Sequence, residues 1–253
     1  DTIGCVEMEA EDVEISGGTS SGSIDGKGTR MLFAGGYTPS SNPNDTFNNV
    51  DAITVETQGN SIDFNNLTAN LTGMANFGDS TRAVAAGGIG PRAYSPGSTT
   101  NQIQFCTFAS QGDYADSGGD LTRSNMFMGC FNNKVRGVIA GGSYPYSNTI
   151  DYVTIQTLGN AVDYGDLSVL TGYPAGVSSS TRGIILGGLV VGGSPASYNT
   201  ITMFTTSSTG AGTDFGDMSS TRYEMASGSN ATRGIVAGGY GPNYTTIIDF
   251  FTL

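Results

Sequence analysis

The feature that most constrains the fold is a short unit that recurs five times along the chain. In each copy an arginine is followed five residues later by the first glycine of a Gly-Gly pair, as in TRAVAAGG and TRGIVAGG. The arginines, Arg30, Arg82, Arg136, Arg182 and Arg233, are separated by 52, 54, 46 and 51 residues. Repeats of this length are typical of propeller blades, in which one four-stranded sheet recurs around a ring. The spacing therefore predicts an all-β, five-bladed β-propeller.

A second landmark lies at a nearly constant distance before each of the last four arginines. Segments such as GNSIDFNNL and GNAVDYGDL begin with a glycine 23 or 24 residues before the arginine and carry an aspartate four residues after that glycine. These aspartates are Asp63, Asp116, Asp163 and Asp214. Most of the length variation falls between the Gly-Gly pair and this landmark, so one loop varies while the rest of the unit is constant.

Four strands, named a to d, are predicted within each repeat. In the third repeat strand b is RGVIAGG (136–142), whose nearly continuous apolar character indicates burial on both faces. Strand c is NTIDYVTI (148–155) and strand d is AVDYGDL (161–167). Strand a of the next blade is YPAGVSSS (173–180), whose small residues suit the crowded centre of a ring. The blades are predicted to be four-stranded and antiparallel.

The chain ends predict how the ring closes. The last repeat stops at IIDFFTL, before its own strand d, while Ile15 lies as far before Arg30 as Leu167 lies before Arg182. We expect the N-terminal segment to supply the missing outer strand of the C-terminal blade, because closure protects the edges of the sheets. Residues 1–253 are predicted to be a single propeller domain.

Composition narrows the class of protein further. The 39 glycines and the 13% of charged residues favour short strands and tight turns. The net charge of −12 disfavours nucleic acid as a partner, and no apolar run is long enough for membrane insertion. Because the chain opens at Asp1 without an initiator methionine, we expect a processed product or part of a longer chain. We interpret Cys5, Cys106 and Cys130 as small buried hydrophobic residues, with one disulfide left open.

The apolar strand ending in Gly-Gly, the variable loop and the NTIDY-type strand together resemble the kelch repeat. Kelch repeats usually carry a tryptophan in the last strand, whereas this chain has none and places Phe64, Tyr164 and Phe215 there. The variant TRGIILGG, together with NTIDYVTIQTLGNAVDYGDLS, looks more like the degenerate kelch-like repeats of structural and tail-fibre-like proteins of marine bacteriophages. This resemblance implies a location in the virion, other virion proteins as partners and several copies in a symmetric assembly.

Candidate binding residues lie in the variable b–c loops, at 37–49, 89–100, 143–148, 189–199 and 240–245. Loops that vary on a constant scaffold are common recognition sites. Tyrosine offers a flat apolar ring and a hydroxyl group, which suits a sugar or a protein partner. The alternative is that these rings only pack the loops onto the blades. The candidates are Tyr37, Arg92, Tyr94, Tyr144, Tyr146, Tyr198, Tyr240, Asn243 and Tyr244.

The repeated arginines and strand-d aspartates are interpreted as structural. We expect each arginine to pair either with a strand-d aspartate or with backbone carbonyls near a blade junction. A position in strand c holds Asp51, Gln104, Asp151, Thr202 and Asp249 in successive repeats. No loop of the DxDxDG type accompanies these acids, so no metal and no cofactor is predicted.

The absence of histidine removes the usual general base, most zinc sites and Ser-His catalysis, so no enzymatic activity is expected. The preferred hypothesis is a virion structural or fibre module of a phage, used for docking or for recognition of a host-surface glycan or protein. The alternative is a secreted or cell-surface propeller that binds sugars or proteins. A funnel-type glycoside hydrolase, which needs only carboxylates, is less favoured.

Overall fold

The computed structural model describes residues 14–16, 20–21, 30–37, 46–54, 57, 59–90, 98–190 and 197–253, with side chains from residue 30 onward. The strands in these residues form five antiparallel sheets arranged in a ring. The predicted five-bladed β-propeller is therefore confirmed. In the described ranges no helix has the length and apolar character needed to cross a membrane.

The strands follow one another around the ring in chain order. The chain begins with β1 (Glu14–Ser16), which joins the last blade. Blade 1 consists of β2 (Ser20–Ser21), β3 (Arg30–Tyr37), β4 (Thr46–Thr54) and β5 (Ile62–Asn66). Blade 2 consists of β6 (Ala75–Gly78), β7 (Arg82–Ala86), β8 (Gln102–Thr107) and β9 (Ala115–Asp120). Blade 3 consists of β10 (Gly129–Asn132), β11 (Arg136–Ala140), β12 (Thr149–Thr154) and β13 (Val162–Asp166).

Blade 4 has five strands where four were predicted. It consists of β14 (Thr171–Gly172), β15 (Ala175–Ser178), β16 (Arg182–Val190), β17 (Ser197–Thr205) and β18 (Thr213–Asp217). The register of β16 with β17 shifts between Leu186 and Gly188, and the pairing then continues. This longer hairpin leaves Leu189 and Val190 free to pair with β14, which adds the fifth strand.

Blade 5 consists of β19 (Ala226–Ser229), β20 (Arg233–Ala237) and β21 (Ile248–Thr252), together with β1. In β1, Ile15 pairs with Gly228 of β19, so the N-terminal strand does close the ring on the C-terminal blade. Its expected position at the outer edge is wrong, because β1 lies beside the innermost strand. Among the described residues β21 is the outer strand of this sheet, and Phe250 is 68% exposed.

Strands b, c and d of the third repeat lie where the sequence predicts them. The predicted strand a is shorter in the structure, since β15 covers only Ala175–Ser178 of residues 173–180. Tyr173 has a φ of 55°, which takes it out of the extended conformation. The residues just before strand a therefore belong to the d–a loop.

The Gly-Gly pair after strand b is the docking point for the following d–a loop. The amide of Gly142 donates to the carbonyl of Thr171 over 2.8 Å, and the amide of Gly88 donates to Asn125 over 2.8 Å. A Cβ atom on Gly141 would lie 2.5 Å from the Thr171 carbonyl oxygen, and Gly141 has a φ of 68°. Only glycine meets both demands at this position.

The apolar core is divided into layers between the blades. Four clusters of buried side chains lie at the junctions between blades 1 and 2, 2 and 3, 3 and 4, and 4 and 5. Successive residues of strand b serve different layers: Ile139 packs toward blade 2, whereas Val138 and Ala140 pack toward blade 4. This arrangement explains why strand b is apolar on both faces.

Aromatic rings of one blade fit onto glycines of the next. The ring of Phe77 in blade 2 covers Gly137 of blade 3, where an added Cβ atom would lie 2.0 Å from the ring. The ring of Phe131 in blade 3 covers Gly183 of blade 4 in the same way. Cys106 and Cys130 are buried in two different layers, and Cys5 lies outside the described residues.

Candidate functional site

The two ends of the blades carry different connections. Bridges such as Met126 with Ser143 and Tyr223 with Tyr240 join d–a loops to the residues that follow strand b. The b–c and d–a loops therefore share one end of the ring, called the loop face from here on. The a–b and c–d turns share the opposite end, called the turn face.

The repeated arginines connect neighbouring blades at the turn face. Nη1 of Arg82 donates to the carbonyl oxygens of Ile155 and Gln156 in blade 3, over 3.2 and 2.6 Å. Nη1 of Arg136 donates to Ser207 in blade 4 over 2.9 Å, and Nη1 of Arg30 donates to Phe108 in blade 2 over 3.5 Å. For these three arginines the partners are backbone carbonyls at a blade junction, which is one of the two predicted kinds of partner.

The same guanidinium groups lie over aromatic rings of their own blades. Their carbon atoms are 4.9 Å from the ring centroid of Phe105 for Arg82 and 4.4 Å from that of Tyr152 for Arg136. Arg233 lies 5.1 Å from Phe250. In the described part of the chain the side chain of Arg182 makes no hydrogen bond or ring contact of this kind. The five arginines are thus equivalent in sequence but not in their contacts.

The strand-d aspartates are exposed and act locally. Asp116, Asp163 and Asp214 each accept a hydrogen bond from the amide of the glycine two residues ahead, over 2.8 to 2.9 Å. This bond from Gly118 lowers the pKa of Asp116, and a hydrogen bond from Gln102 adds to the effect. None of these three carboxylates pairs with a repeated arginine. The described contacts therefore do not show the predicted pairing of repeated arginines with strand-d aspartates.

The strand-c position connects neighbouring blades at the loop face. Asp151 of blade 3 accepts the amide of Thr122, over 2.9 Å, and its hydroxyl group, over 2.8 Å. Gln104 of blade 2 accepts the same two groups of Thr68, over 2.9 and 3.0 Å. Each of these side chains thereby holds the d–a loop that leads into its own blade. Burial raises the pKa of Asp151, although the bonds from Thr122 oppose the shift.

The junction between blades 4 and 5 is closed by an ion pair. The guanidinium of Arg222, which is fully buried, contacts Asp249 and donates to the carbonyl oxygens of Gly238 and Ile247. Asp249 also accepts the amide of Ser219 over 3.1 Å. Asp151 and Asp249, at the same strand-c position, therefore hold d–a loops in place. Within the described ranges no group of three His, Cys, Asp or Glu side chains is arranged to hold a metal ion.

The junction between blades 3 and 4 is open. Here the strand-c residue is Thr202, and the d–a loop carries Ser168 and Thr171. A cavity of about 270 Å³, called the junction cavity, lies between the two blades. It is lined by Leu167, Ser168, Val169, Thr171, Ile185, Gly187, Tyr198, Thr200 and Thr202.

A row of aromatic rings, the aromatic arc, lies on the loop face. It consists of Phe127, Tyr173, Tyr223, Tyr240 and Tyr244. Phe127 stacks on Tyr173 with ring centroids 4.7 Å apart, and Tyr223 lies 5.9 Å from Tyr173. The row continues to Tyr240 at 5.5 Å and from there to Tyr244 at 5.0 Å. It passes beside the innermost strands of three blades, so it borders the axis of the ring.

The backbone that carries the arc is held in an uncommon conformation. Phe127, Tyr173 and Glu224 each lie nine residues before a repeated arginine, and their φ values are 51°, 55° and 55°. The equivalent residue of the first d–a loop is Gly73, with a φ of 68°. Backbone hydrogen bonds connect these residues from one loop to the next, with Phe127 donating to Gly73 over 2.7 Å and Tyr173 to Phe127 over 3.0 Å.

Tyr223 of the arc and the adjoining Glu224, which is exposed, each lose part of their solvation. Burial raises the pKa of Tyr223, and the neighbouring Glu224, Tyr240, Tyr146 and Tyr244 raise it further. Burial also raises the pKa of Glu224. A partly desolvated carboxylate beside several rings is an arrangement that accepts hydrogen bonds from a ligand while the rings cover its apolar surface.

The predicted binding residues fall into separate groups. Tyr240 and Tyr244 belong to the aromatic arc, Tyr146 lies near it, and Tyr198 lines the junction cavity. Asn243 is exposed, and its carbonyl accepts the amide of Gly241 over 3.1 Å. Tyr144 is 43% exposed in the same b–c loop as Tyr146. Tyr37 lies apart at the end of β3, and Arg92 and Tyr94 lie outside the described residues.

The sequence patterns did not single out the d–a loop residues Phe127, Tyr173, Tyr223 and Glu224. Phe127, Tyr173 and Glu224 lie at a constant distance from the repeated arginines, which was a usable signal because equivalent positions of a ring lie around its axis. Tyr173 was instead assigned to strand a. The two polar residues of the open junction, Ser168 and Thr202, were also not identified as a pair.

Comparison with known proteins supports the fold alone. No model of a protein family and no curated protein matches the chain. Among solved structures, that of YjhT is similar, with a TM-score of 0.70 and 13% sequence identity. The similarity covers 89% of this chain and 79% of that one. At this level of identity the shared feature is the β-propeller.

Proposed function

We propose that this chain is a non-enzymatic binding module that recognises a surface glycan through the aromatic arc on its loop face. The supporting observation is the presence of large side chains where the backbone favours glycine. A non-glycine residue in the left-handed region costs on the order of 1 kcal/mol, and Gly73 shows that glycine serves at this position. Phe127 and Tyr173 keep their rings, and Glu224 its carboxylate, in spite of that strain, which is common at functional sites.

The chemistry of the arc favours a sugar. Stacked rings suit the apolar faces of pyranose rings, and Glu224 accepts hydrogen bonds from hydroxyl groups. The net charge of −12 favours neutral over anionic ligands. The proposal of a non-enzymatic role rests on the absence of histidine and on the local hydrogen bonds of the strand-d aspartates.

A glycan array with the intact chain tests this proposal. Tyr223→Ala and Tyr244→Ala should each weaken binding to any glycan that the wild type retains by about tenfold or more, as expected of aromatic anchors. The matched control is Tyr37→Ala, an exposed tyrosine outside the arc, which should leave binding unchanged. Binding that survives both arc substitutions would overturn the proposal. If the chain retained a protein partner but no glycan, the loop face would be a protein-docking surface instead.

We further propose the virion of a phage as the assembly in which this module acts, on the basis of the repeats that resemble phage structural proteins. Cryo-electron microscopy of native source material tests this part separately. We expect propellers in fixed stoichiometry on a capsid, tail or fibre. A free monomer in that material would contradict the virion location and favour a secreted or cell-surface module.

A further inference from the structure

The junction cavity is open because two positions that are filled elsewhere carry small side chains here. In strand c, Thr202 stands where the other described junctions have Gln104, Asp151 or Asp249. In the d–a loop, Thr171 stands where they have Leu71, Asn125 or Arg222. The equivalent space between blades 2 and 3 measures only about 10 Å³, against about 270 Å³ here.

The walls of the cavity carry several hydroxyl groups. Tyr198, Thr200 and Thr202 alternate along β17, so their side chains lie on one face of the strand. Ser168 faces them from the d–a loop. These four hydroxyl groups make no hydrogen bond to any residue that the structure describes, whereas the hydroxyl of Thr171 donates to the carbonyl of Val169 over 3.0 Å.

The floor of the cavity is apolar. Leu167 and Ile185 are 7% and 3% exposed and also belong to the core layer between blades 3 and 4. Tyr198 comes from the lengthened hairpin of blade 4, where it pairs with Gly188. A ligand with C–H groups on its faces and hydroxyl groups around its edge would satisfy both kinds of wall.

Size and charge restrict the ligand further. Pockets for drug-sized ligands measure roughly 300–1,000 Å³, so a cavity of about 270 Å³ holds a single ring. No charged side chain lines it, so an ammonium or carboxylate group would be desolvated without a partner. Asp214 and Asp217, which pair with Thr202 and Thr200 in the sheet, would repel an anion at the rim.

We infer that the junction cavity binds one uncharged polyhydroxylated ring of the size of a neutral monosaccharide. The inference goes beyond the proposed function, because no residue of the aromatic arc lines this cavity. The four hydroxyl groups bind the hydroxyl groups of the ring, and Leu167 and Ile185 contact its apolar face.

Saturation-transfer NMR on the intact chain tests this inference. The probes are methyl α-D-mannopyranoside, methyl β-D-galactopyranoside and methyl N-acetyl-β-D-glucosaminide, at up to about 20 mM, well above a dissociation constant of about 1 mM. Charged counterparts, methyl β-D-glucuronide and D-glucosamine, are measured alongside. We expect binding of at least one neutral glycoside and no binding of the charged sugars.

Thr202→Gln is the decisive variant, because it introduces the side chain that Gln104 provides between blades 1 and 2. It should weaken the neutral glycoside by about tenfold or more, whereas Tyr37→Ala, outside both the cavity and the arc, should leave that binding unchanged. Thr202→Asp, which copies Asp151, serves if the first variant does not fold. The inference is overturned if no neutral glycoside binds the wild type, or if binding survives when the cavity is filled. A loss in Tyr223→Ala alone would assign the sugar to the arc.

Discussion

The junction between blades 2 and 3 and the junction between blades 3 and 4 share a backbone plan but differ at the loop face. In the first, Asp151 holds the d–a loop through Thr122, and almost no space is left. In the second, no hydrogen bond joins Thr202 to Ser168 in the described residues, and both line a cavity of about 270 Å³. Two positions thus distinguish the junctions, since Asp151 and Asn125 line the closed one where Thr202 and Thr171 line the open one.

The turn face shows no such difference. Arg82 connects blade 2 to blade 3, and Arg136 connects blade 3 to blade 4, both through backbone carbonyls of a c–d turn. These two junctions are therefore held in the same way at the turn face and differ at the loop face. This separation allows the loop face to change its side chains without loosening the contacts of the turn face.

The largest expected effect comes from converting the closed junction into an open one. Asp151→Thr removes the acceptor of the Thr122 amide and hydroxyl in a buried site, so the free energy of unfolding should fall by about 2–3 kcal/mol in urea titrations. Thr202→Ser is the matched control in the open junction and should change stability by less than about 0.5 kcal/mol. Equal losses in the two variants would show that the strand-c residue does not close the junction.

At the turn face the two junctions should respond alike. Arg82→Ala and Arg136→Ala each lose carbonyl contacts and a ring contact, so each should lower the free energy of unfolding by about 1 kcal/mol. Arg182→Ala serves as a control, because its side chain has no such contacts in the described residues, and its effect should stay within about 0.5 kcal/mol. If Arg182→Ala lowered the free energy of unfolding as much as the other two variants, the carbonyl and ring contacts would not explain the loss.

Filling the open junction should produce a smaller effect of opposite sign. In Thr202→Gln the amide oxygen should accept from Ser168, which stands where Thr68 stands in the junction closed by Gln104. We expect a gain of about 0.5–1 kcal/mol in the free energy of unfolding. Differential scanning calorimetry measures this gain. A loss of stability would show that the glutamine side chain does not fit the cavity as Gln104 fits its own junction.

The smallest expected effect is a pH dependence of stability that arises from the closed junction between blades 2 and 3 and not from the open one. Burial raises the pKa of Asp79, but hydrogen bonds from Thr81, Gln156 and the Arg82 amide outweigh it and leave the pKa below its usual value of 3.8. Because this pKa is lowered by folding, the stability that Asp79 provides is present above its ordinary pKa and is lost as the pH falls through the lowered one. The stability difference between wild type and Asp79→Asn should therefore shrink in acid.

Asp151 should behave in the opposite way. Its pKa is raised by burial, so its contribution is present below the ordinary pKa and is lost as the pH rises through the raised value. The difference between wild type and Asp151→Asn should shrink as the pH rises. Urea titrations from about pH 3 to pH 7 measure both slopes. Thr202→Asn is the control, because neither residue titrates, and its effect on the free energy of unfolding should not change with pH. If the effects of Asp79→Asn and Asp151→Asn changed with pH in the same direction, these assignments would be contradicted.

The repeat predicted the fold well because each of its parts has a backbone cause. The Gly-Gly pair marks the site where the d–a loop docks, and the apolar strand b marks a strand covered on both faces. The arginines marked the blade junctions, although their choice of carbonyls over Asp116 or Asp163 needed coordinates. The position of β1 beside β19 was not predictable from spacing, since both edges of the last blade accept a strand in antiparallel pairing.

The candidate sites were predicted only in part. Tyrosines of the b–c loops are conspicuous in sequence, and Tyr240 and Tyr244 do lie in the aromatic arc. Phe127 and Tyr173 lie in d–a loops, whose length does not vary as that of the b–c loops does, and only a constant offset from Arg136 and Arg182 identifies them. The junction cavity depends on two small residues from different blades, Thr171 and Thr202, and their proximity follows from the packing of blades rather than from any local pattern.

The fit of aromatic rings onto glycines across the junctions bears on how such a ring can evolve. Phe77 needs Gly137, and Phe131 needs Gly183, so blades 2 and 3 each match the blade that follows them. An exchange that set either ring against blade 1 or blade 2 would place it on Met31 or Ala83, which stand where these glycines stand. A circular permutation that places the chain ends in a loop would leave these contacts between rings and glycines intact. Circular permutation is therefore an easier route to new variants of this protein than shuffling its blades.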